Sequence, residues 1–199
     1  LADRLDQTVT VSEDMISGAS GYSMSLRIGE KIKIEDLLYG AICGSYNDAA
    51  YALAYLCGGS GFVDMMNSKA AELGLSGTHY ANPVGLHDDN NYTTVRDVYT
   101  LTKYALQNET FKTVCESPRY TIEATNMSPA RTISTTNFLQ DTTTNYYYQY
   151  AHGVKTGFTD EAGRCLVSAA TYGNYNYMCI LMNCPNNTGQ RVEFIESAN

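Results

Sequence analysis

Two apolar runs of strand length, 165–171 and 175–182, are joined by the three residues Tyr172, Gly173 and Asn174. Runs of that length across so short a turn form an antiparallel hairpin. Everything helical lies before it. Residues 48–57 are rich in Ala and Leu and stop at Gly58 and Gly59, and residues 62–73 stop at Gly74, so each predicts a helix ended by glycine. In 94–107, Val98, Leu101 and Ala105 recur at helical spacing, and Thr94 with Asp97 resembles a capping box. The intervening 78–93 has the Asn, Pro, Gly and Asp content of turns. Between 120 and 150 the β-branched runs 120–122 and 131–134 suggest short strands around a long loop. At the end, Val192 and Ile195 are spaced as on a helix spanning 190–197. Helices first and a small sheet second is an α+β order. The expected unit covers 1–199, mostly helical over 1–150 and sheet over 151–199.

Charge and composition exclude some partners. A net charge of -8 with only 13 Lys and Arg argues against nucleic acid, because phosphate binding needs clustered cations. Six cysteines (Cys43, Cys57, Cys115, Cys165, Cys179 and Cys184) contain no C-x-x-C pair and no nearby His, so neither a zinc site nor a redox motif is expected, and buried thiols are. Cys165 and Cys184 could face each other across the hairpin, with the register left open. His79, His87 and His152 are scattered and fit loop or packing roles better than metal binding. Tyr146, Tyr147, Tyr148 and Tyr150 read as a half-exposed loop stack. No run of about 18 apolar residues and no basic-then-apolar leader occurs in these residues, which open on Leu1 and are expected to be a piece of something longer.

Two tripeptides carry chemistry: Ser45-Tyr46-Asn47 before a predicted helix and Lys155-Thr156-Gly157 at the start of a predicted strand. Each alone is weak. Ser197-Ala198-Asn199 also fits S-x-N, Ser45 by itself would be read as a helix cap, and an isolated Lys155 as a solvated strand-end lysine. Together, in this order, they fit the S-x-N and K-T-G pair of penicillin-binding proteins and β-lactamases.

The likeness extends along the chain. Ser45-Tyr-Asn-Asp-Ala-Ala-Tyr-Ala-Leu-Ala54, Met65-Met-Asn-Ser-Lys-Ala-Ala-Glu-Leu-Gly74, Asn82-Pro-Val-Gly-Leu-His87, Asn91-Tyr-Thr-Thr94 with Asp97, Gly153-Val-Lys-Thr-Gly-Phe-Thr-Asp160 and Ala162-Gly-Arg-Cys165 resemble the low-molecular-weight D-alanyl-D-alanine carboxypeptidases over 9–185. The resemblance implies a β-lactamase/transpeptidase-like fold, a helical part plus an antiparallel sheet, here incomplete at both ends. It implies a peptidoglycan carboxypeptidase of the cell envelope, outside the cytoplasm. Such an enzyme acts on stem peptides ending in D-Ala-D-Ala, is acylated by β-lactams, and needs no metal or cofactor.

Residue by residue, the resemblance implies that Lys155 supplies positive charge near the substrate carboxylate and Ser45, and that Thr156 donates to that carboxylate. Gly157 lets the substrate backbone lie along the strand edge, and the Phe158 N–H is an oxyanion donor. Ser45 relays a proton to the leaving D-alanine, Asn47 holds the substrate's amide carbonyl and the catalytic lysine, and Arg164 is a second carboxylate contact. One part is missing. The family's nucleophile and base lie in an S-x-x-K motif ahead of S-x-N, yet no Ser here has Lys three places on. Thr100 with Lys103 is the nearest look-alike, and 44 residues precede Ser45. The 199 residues are therefore expected to be inactive alone, with open sheet edges that invite self-association. Two alternatives stay open: a β-lactamase-like hydrolase, though no Glu has Asn four places on, and a cell-wall peptide-binding module without catalysis.

Overall fold

A computed structural model of the chain describes residue 1, residues 3–186 and residues 191–197, with side chains as far as 194. The elements run β1 (Thr8–Thr10), α1 (Glu13–Ile16), β2 (Lys31–Lys33), α2 (Ile34–Ile42), α3 (Asn47–Gly58), α4 (Phe62–Glu72), α5 (Val95–Ala105) and α6 (Glu109–Cys115). After these come β3 (Arg119–Ile122), β4 (Arg131–Ser134), β5 (Ala151–Thr159), β6 (Gly163–Tyr172), β7 (Tyr175–Cys184) and α7 (Val192–Ser197). Among the described residues these strands make three separate antiparallel sheets, β1–β2, β3–β4 and β5–β6–β7.

The helices expected at 48–57, 62–73 and 94–107 are α3, α4 and α5. α2, α1 and α6 were not legible, nor was the β1–β2 pair. α2 buries Ile34 and Leu37 completely, but its nine residues span too few turns to stand out from the loop around them. The capping box expected at Thr94 is half made. Thr94 Oγ1 accepts the Asp97 N–H at 3.1 Å, while the Asp97 carboxylate turns to Gly77 N and Thr78 Oγ1, both at 2.8 Å, and pins the loop before α5. The last helix is present as α7, and Gln190, the first residue of the expected span, lies outside the described residues.

α2 and α3 form the centre of the helical part. Ala49 and Ala52 of α3 are fully buried against α2, and Met24, Ile32, Leu37, Val114, Ile122 and Ile133 pack with them, so that the β1–β2 and β3–β4 pairs close the same core. Tyr39 of α2 stacks on Tyr120 of β3 with ring centroids 3.6 Å apart, and the Tyr120 hydroxyl donates to Asp36 at 2.9 Å.

In the three-stranded sheet, alternate side chains face opposite sides. Ala169 and Val154 pack on Cys115 at the end of α6, whereas Leu166 packs on Leu139 and Phe194. The sheet is thus held between the helical part and α7. K-T-G lies in the middle of β5, not at its start, because pairing with β6 begins at Ala151, opposite Ala170. A register shift between His152 and Lys155 follows before the ladder resumes at Lys155 opposite Val167. β5 and β7 are the sheet's two edges.

Local contacts revise several expectations. Cys43, Cys115 and Cys184 are buried, but Cys57 is exposed and Cys165 and Cys179 are half-buried. Arg164, not Cys165, stands opposite Cys184, because β6 has a register shift between Arg164 and Leu166. His152 does have a carboxylate: its Nδ1 is 2.8 Å from Glu116 Oε1 and its Nε2 is 2.9 Å from Thr171 Oγ1. Glu116 is 36 residues away in sequence, so only folding reveals the pair. Among the tyrosines, Tyr146 packs on Phe138 and Phe194, and Tyr150 meets Tyr148 and Tyr172 edge-on.

Candidate active site

The turn between α2 and α3 presents Ser45. Gly44 precedes it at a point where a side chain would collide with the Tyr46 ring and with Ile133, so the chain must pass there as glycine. Ser45 takes the left-handed conformation with φ 59°. It does not cap α3. The cap position is Tyr46, whose N–H donates to Gly40 O at 2.9 Å, and whose ring lies 5.0 Å from that of Tyr22.

Asp48 fixes the turn from below. This buried carboxylate accepts from Met24 N at 3.0 Å, Leu26 N at 2.9 Å, Ser23 Oγ at 2.7 Å and Ala49 N at 3.0 Å. The segment 23–26 is thereby tied to the first turn of α3. Asn47 donates its side-chain amide to Ser20 O at 2.6 Å and its backbone N–H to Tyr22 O at 2.7 Å. In this state it is anchored to the 20–22 loop, not to Ser45 or Lys155.

From the sheet side, Lys155 reaches across. Its Nζ donates to Ser45 Oγ at 2.6 Å and to the carbonyl of Thr156 at 2.9 Å, joining residues 110 apart in sequence. Burial pushes its amine down to about 8, which leaves it mostly charged at neutral pH. The neighbouring Cys43 thiol is pushed up to about 11, by burial against the opposing pull of the Lys155 charge, and Cys43 Sγ reaches Ser117 O at 3.3 Å. A neutral thiol below a charged ammonium is the consequence.

The hydroxyl of Thr156 donates to Thr136 Oγ1 at 2.6 Å. Thr136 was missed in the sequence because the Thr- and Asn-rich stretch around it carries no motif. It follows β4 and donates its own N–H to Cys43 O at 3.3 Å. The next residue, Asn137, is buried and donates to Gly153 O at 2.5 Å, and Ser168 Oγ donates to the same carbonyl at 3.1 Å. Gln140 Nε2 donates to Cys115 O at 3.3 Å. The 135–140 segment therefore clips β5 to the ends of α2 and α6.

Gly157 faces open space, the nearest non-neighbouring atom to a Cβ there being Cys165 Cβ at 3.9 Å. Phe158 is 46% exposed, with the Arg164 guanidinium 5.3 Å above its ring. Arg164 stands opposite Phe158 on β6, with Nη1 3.6 Å from the buried Glu193, whose same oxygen takes Arg191 Nε at 2.5 Å. Its charge is thus already partly engaged. The second S-x-N match ends in residues 198 and 199, outside the described residues. Among the described residues, no three His, Cys, Asp or Glu gather as a metal site, and no helix is long and apolar enough to cross a membrane.

Beside an edge strand, the Lys155 ammonium thus holds the Ser45 hydroxyl and the Thr156 carbonyl, while the Thr156 hydroxyl is bonded to Thr136. Such a group can bind a carboxylate and pass a proton between oxygens.

Comparison with known proteins follows this geometry. The chain is 36% identical over 184 residues to a D-alanyl-D-alanine carboxypeptidase of Streptomyces sp. strain K15, covering 85% of this chain and 62% of that protein. It is 29% identical over 180 residues to the D-alanyl-D-alanine carboxypeptidase DacF of Bacillus subtilis, covering 89% of this chain and 44% of the other. It therefore spans less than two thirds of the length of either. Its fold is similar to the crystal structure of a Mycobacterium tuberculosis D-alanyl-D-alanine carboxypeptidase, with a TM-score of 0.85 and 28% identity over 98% of this chain and 72% of that one. It is similar also to the Streptomyces K15 DD-transpeptidase, with a TM-score of 0.82 and 31% identity over 96% and 78%. Residues 3–186 match the family model described as D-alanyl-D-alanine carboxypeptidase, peptidase S11. With its α+β fold and its two motifs joined at Ser45 and Lys155, the chain belongs to the D-alanyl-D-alanine carboxypeptidase family.

Proposed function

We propose that this chain is the S-x-N and K-T-G portion of a peptidoglycan D-alanyl-D-alanine carboxypeptidase that works through an acyl-serine in a longer protein. The observation that carries this is the 2.6 Å contact between Lys155 Nζ and Ser45 Oγ, which joins the two motifs around one cleft. A serine hydroxyl supplied by an S-x-x-K segment outside these residues attacks the carbonyl between the two D-alanines. The C–N bond breaks, and the leaving D-alanine amine takes a proton relayed by Ser45. Water then hydrolyses the ester and restores the serine.

Lys155 and Thr156 receive the terminal carboxylate, with Arg164 as a more distant contact that would have to leave Glu193. Gly157 and the open edge of β5 accept the substrate as an added strand, which the empty space at Gly157 supports. The Phe158 N–H serves the oxyanion, and Asn47 turns from Ser20 O to the substrate amide. The partners are stem peptides ending in D-Ala-D-Ala and, as acylating analogues, β-lactams. The working place is the cell envelope outside the cytoplasm.

The test is intact mass after exposure to a fluorescent penicillin. A longer gene product containing S-x-x-K is expected to gain one adduct and the 199-residue chain none. Fast penicillin turnover by the long form would move it to the β-lactamases. The lack of S-x-x-K in these residues favours one other reading, a peptide-binding module without chemistry, which absence of any adduct on the long form would select.

A further inference from the structure

Thr156 rests in an unusual state for a group expected to donate to a ligand: its hydroxyl hydrogen is already given to Thr136 Oγ1 at 2.6 Å. A threonine hydroxyl has one hydrogen to give and lone pairs to accept with. The Thr136 hydroxyl hydrogen has no acceptor among the described residues, so it is free to turn. Its backbone is not free. Thr136 N is tied to Cys43 O at 3.3 Å, two residues before Ser45, and its neighbours Thr135 and Asn137 are buried, with Asn137 bonded to Gly153 O on β5. The Thr136 backbone is thus fixed relative to both motifs while its hydroxyl can turn.

We infer that Thr136 is a positioning residue whose hydroxyl reverses the polarity of the Thr156 hydroxyl when a carboxylate binds. At rest Thr156 donates to Thr136. With a carboxylate beside Lys155, Thr156 turns its hydrogen to the carboxylate, and Thr136 turns its own hydrogen to Thr156 Oγ1. The reversal takes a small turn of the Thr136 side chain as well as of the two O–H groups, because the resting geometry suits Thr156 as the donor and not Thr136. In the bound state the chain runs Thr136 to Thr156 to carboxylate, and each bond polarises the next. In the empty state the same contact holds Thr156 in the rotamer the ligand needs, which lowers the ordering cost of binding. This rests on the carboxylate site proposed above and adds to it a residue from outside both motifs.

The experiment uses the 199-residue chain and two probes, N-acetyl-D-alanyl-D-alanine and the same dipeptide with its carboxylate replaced by an amide. Backbone amide shifts of Thr156 and Gly157 report binding, and three-bond couplings to Thr156 Cγ2 report its rotamer. The wild type is expected to bind the acid and not the amide. Thr136→Val keeps the shape of the side chain and removes the hydroxyl. It is expected to weaken binding of the acid about tenfold, or about 1.4 kcal/mol, and to average the Thr156 rotamer without the probe present. Thr136→Ser is expected to restore both. A Thr136→Val chain that binds as tightly as wild type, or a Thr136→Ser chain that fails to recover, overturns the role of Thr136 alone. A wild-type chain that treats acid and amide alike overturns the carboxylate site and this inference with it.

Discussion

Lys155 pairs a charge with burial, and the pH dependence of stability should register it. Its folded value, about 8, lies below the ordinary 10.5, so between those pH values the unfolded chain binds more protons and stability rises with pH. The cost is present in full below about 8, on the order of 3 kcal/mol, and fades as pH approaches 10.5. Cys43 and Cys115, pushed up to about 11 and about 12 by burial, act in the opposite sense above pH 9, where the unfolded thiols ionise first. The clean measurement is the difference between wild type and Lys155→Met in urea unfolding. That difference is expected to favour the variant at pH 7 and to shrink steadily from pH 8 to 10. A difference independent of pH would show that the ammonium is not desolvated.

Ser45 carries a cost in its backbone, with φ 59°. Left-handed backbone costs a residue with a Cβ about 1–2 kcal/mol that glycine avoids. Ser45→Gly and Ser45→Ala both lose the bond to Lys155, so their difference isolates the strain. Ser45→Gly is expected to be more stable by about 1 kcal/mol. Equal stabilities in denaturant unfolding would contradict the assigned backbone.

At the scale of elements, the site depends on how helices begin and strands end. Asp48 is the main fastening of α3, because it satisfies the backbone N–H groups of Met24 and Leu26 in a buried place. Asp48→Ala leaves those donors without partners and is expected to cost at least about 3 kcal/mol. Loss of amide-exchange protection should be concentrated at 23–26 and the start of α3. Protection lost evenly over the chain would argue against a local fastening.

β5 sets the opposite case. Gly157 has room for a methyl group and an ordinary backbone angle, so Gly157→Ala is expected to leave the unfolding midpoint unchanged within about 0.5 kcal/mol. If a substrate strand lies along this edge, the same change should weaken binding of an acyl-D-alanyl-D-alanine probe, measured by titration on the folded chain. Unchanged affinity would place the peptide elsewhere.

For the whole molecule, the exposed feature is the three-stranded sheet. β7 pairs with β6 on one side, and among the described residues no strand pairs with its other side. Its ten residues include Tyr175 at 69% and Tyr177 at 56% exposure. Long edges of this kind pair with other chains. We expect the 199-residue chain to self-associate with rising concentration in sedimentation velocity, and Tyr177→Lys to suppress it. A concentration-independent monomer would remove the proposal.

The sequence by itself determined the elements whose signal is local. The hairpin followed from two apolar runs and a glycine turn, α3 to α5 followed from periodicity with glycine or threonine ends, and the two tripeptides marked Ser45 and Lys155. Of the short elements, α2 and the β1–β2 pair were silent, because they owe their stability to the core they bury, not to an autonomous pattern. Only the tertiary structure decided who meets whom. Ser45 meets Lys155 across 110 residues, His152 finds Glu116 across 36, and Thr136 holds Thr156 across 20. Such contacts depend on the relative placement of the sheet and the helices, which packing of Val154, Ala169 and Cys115 sets and which no spacing along the chain encodes.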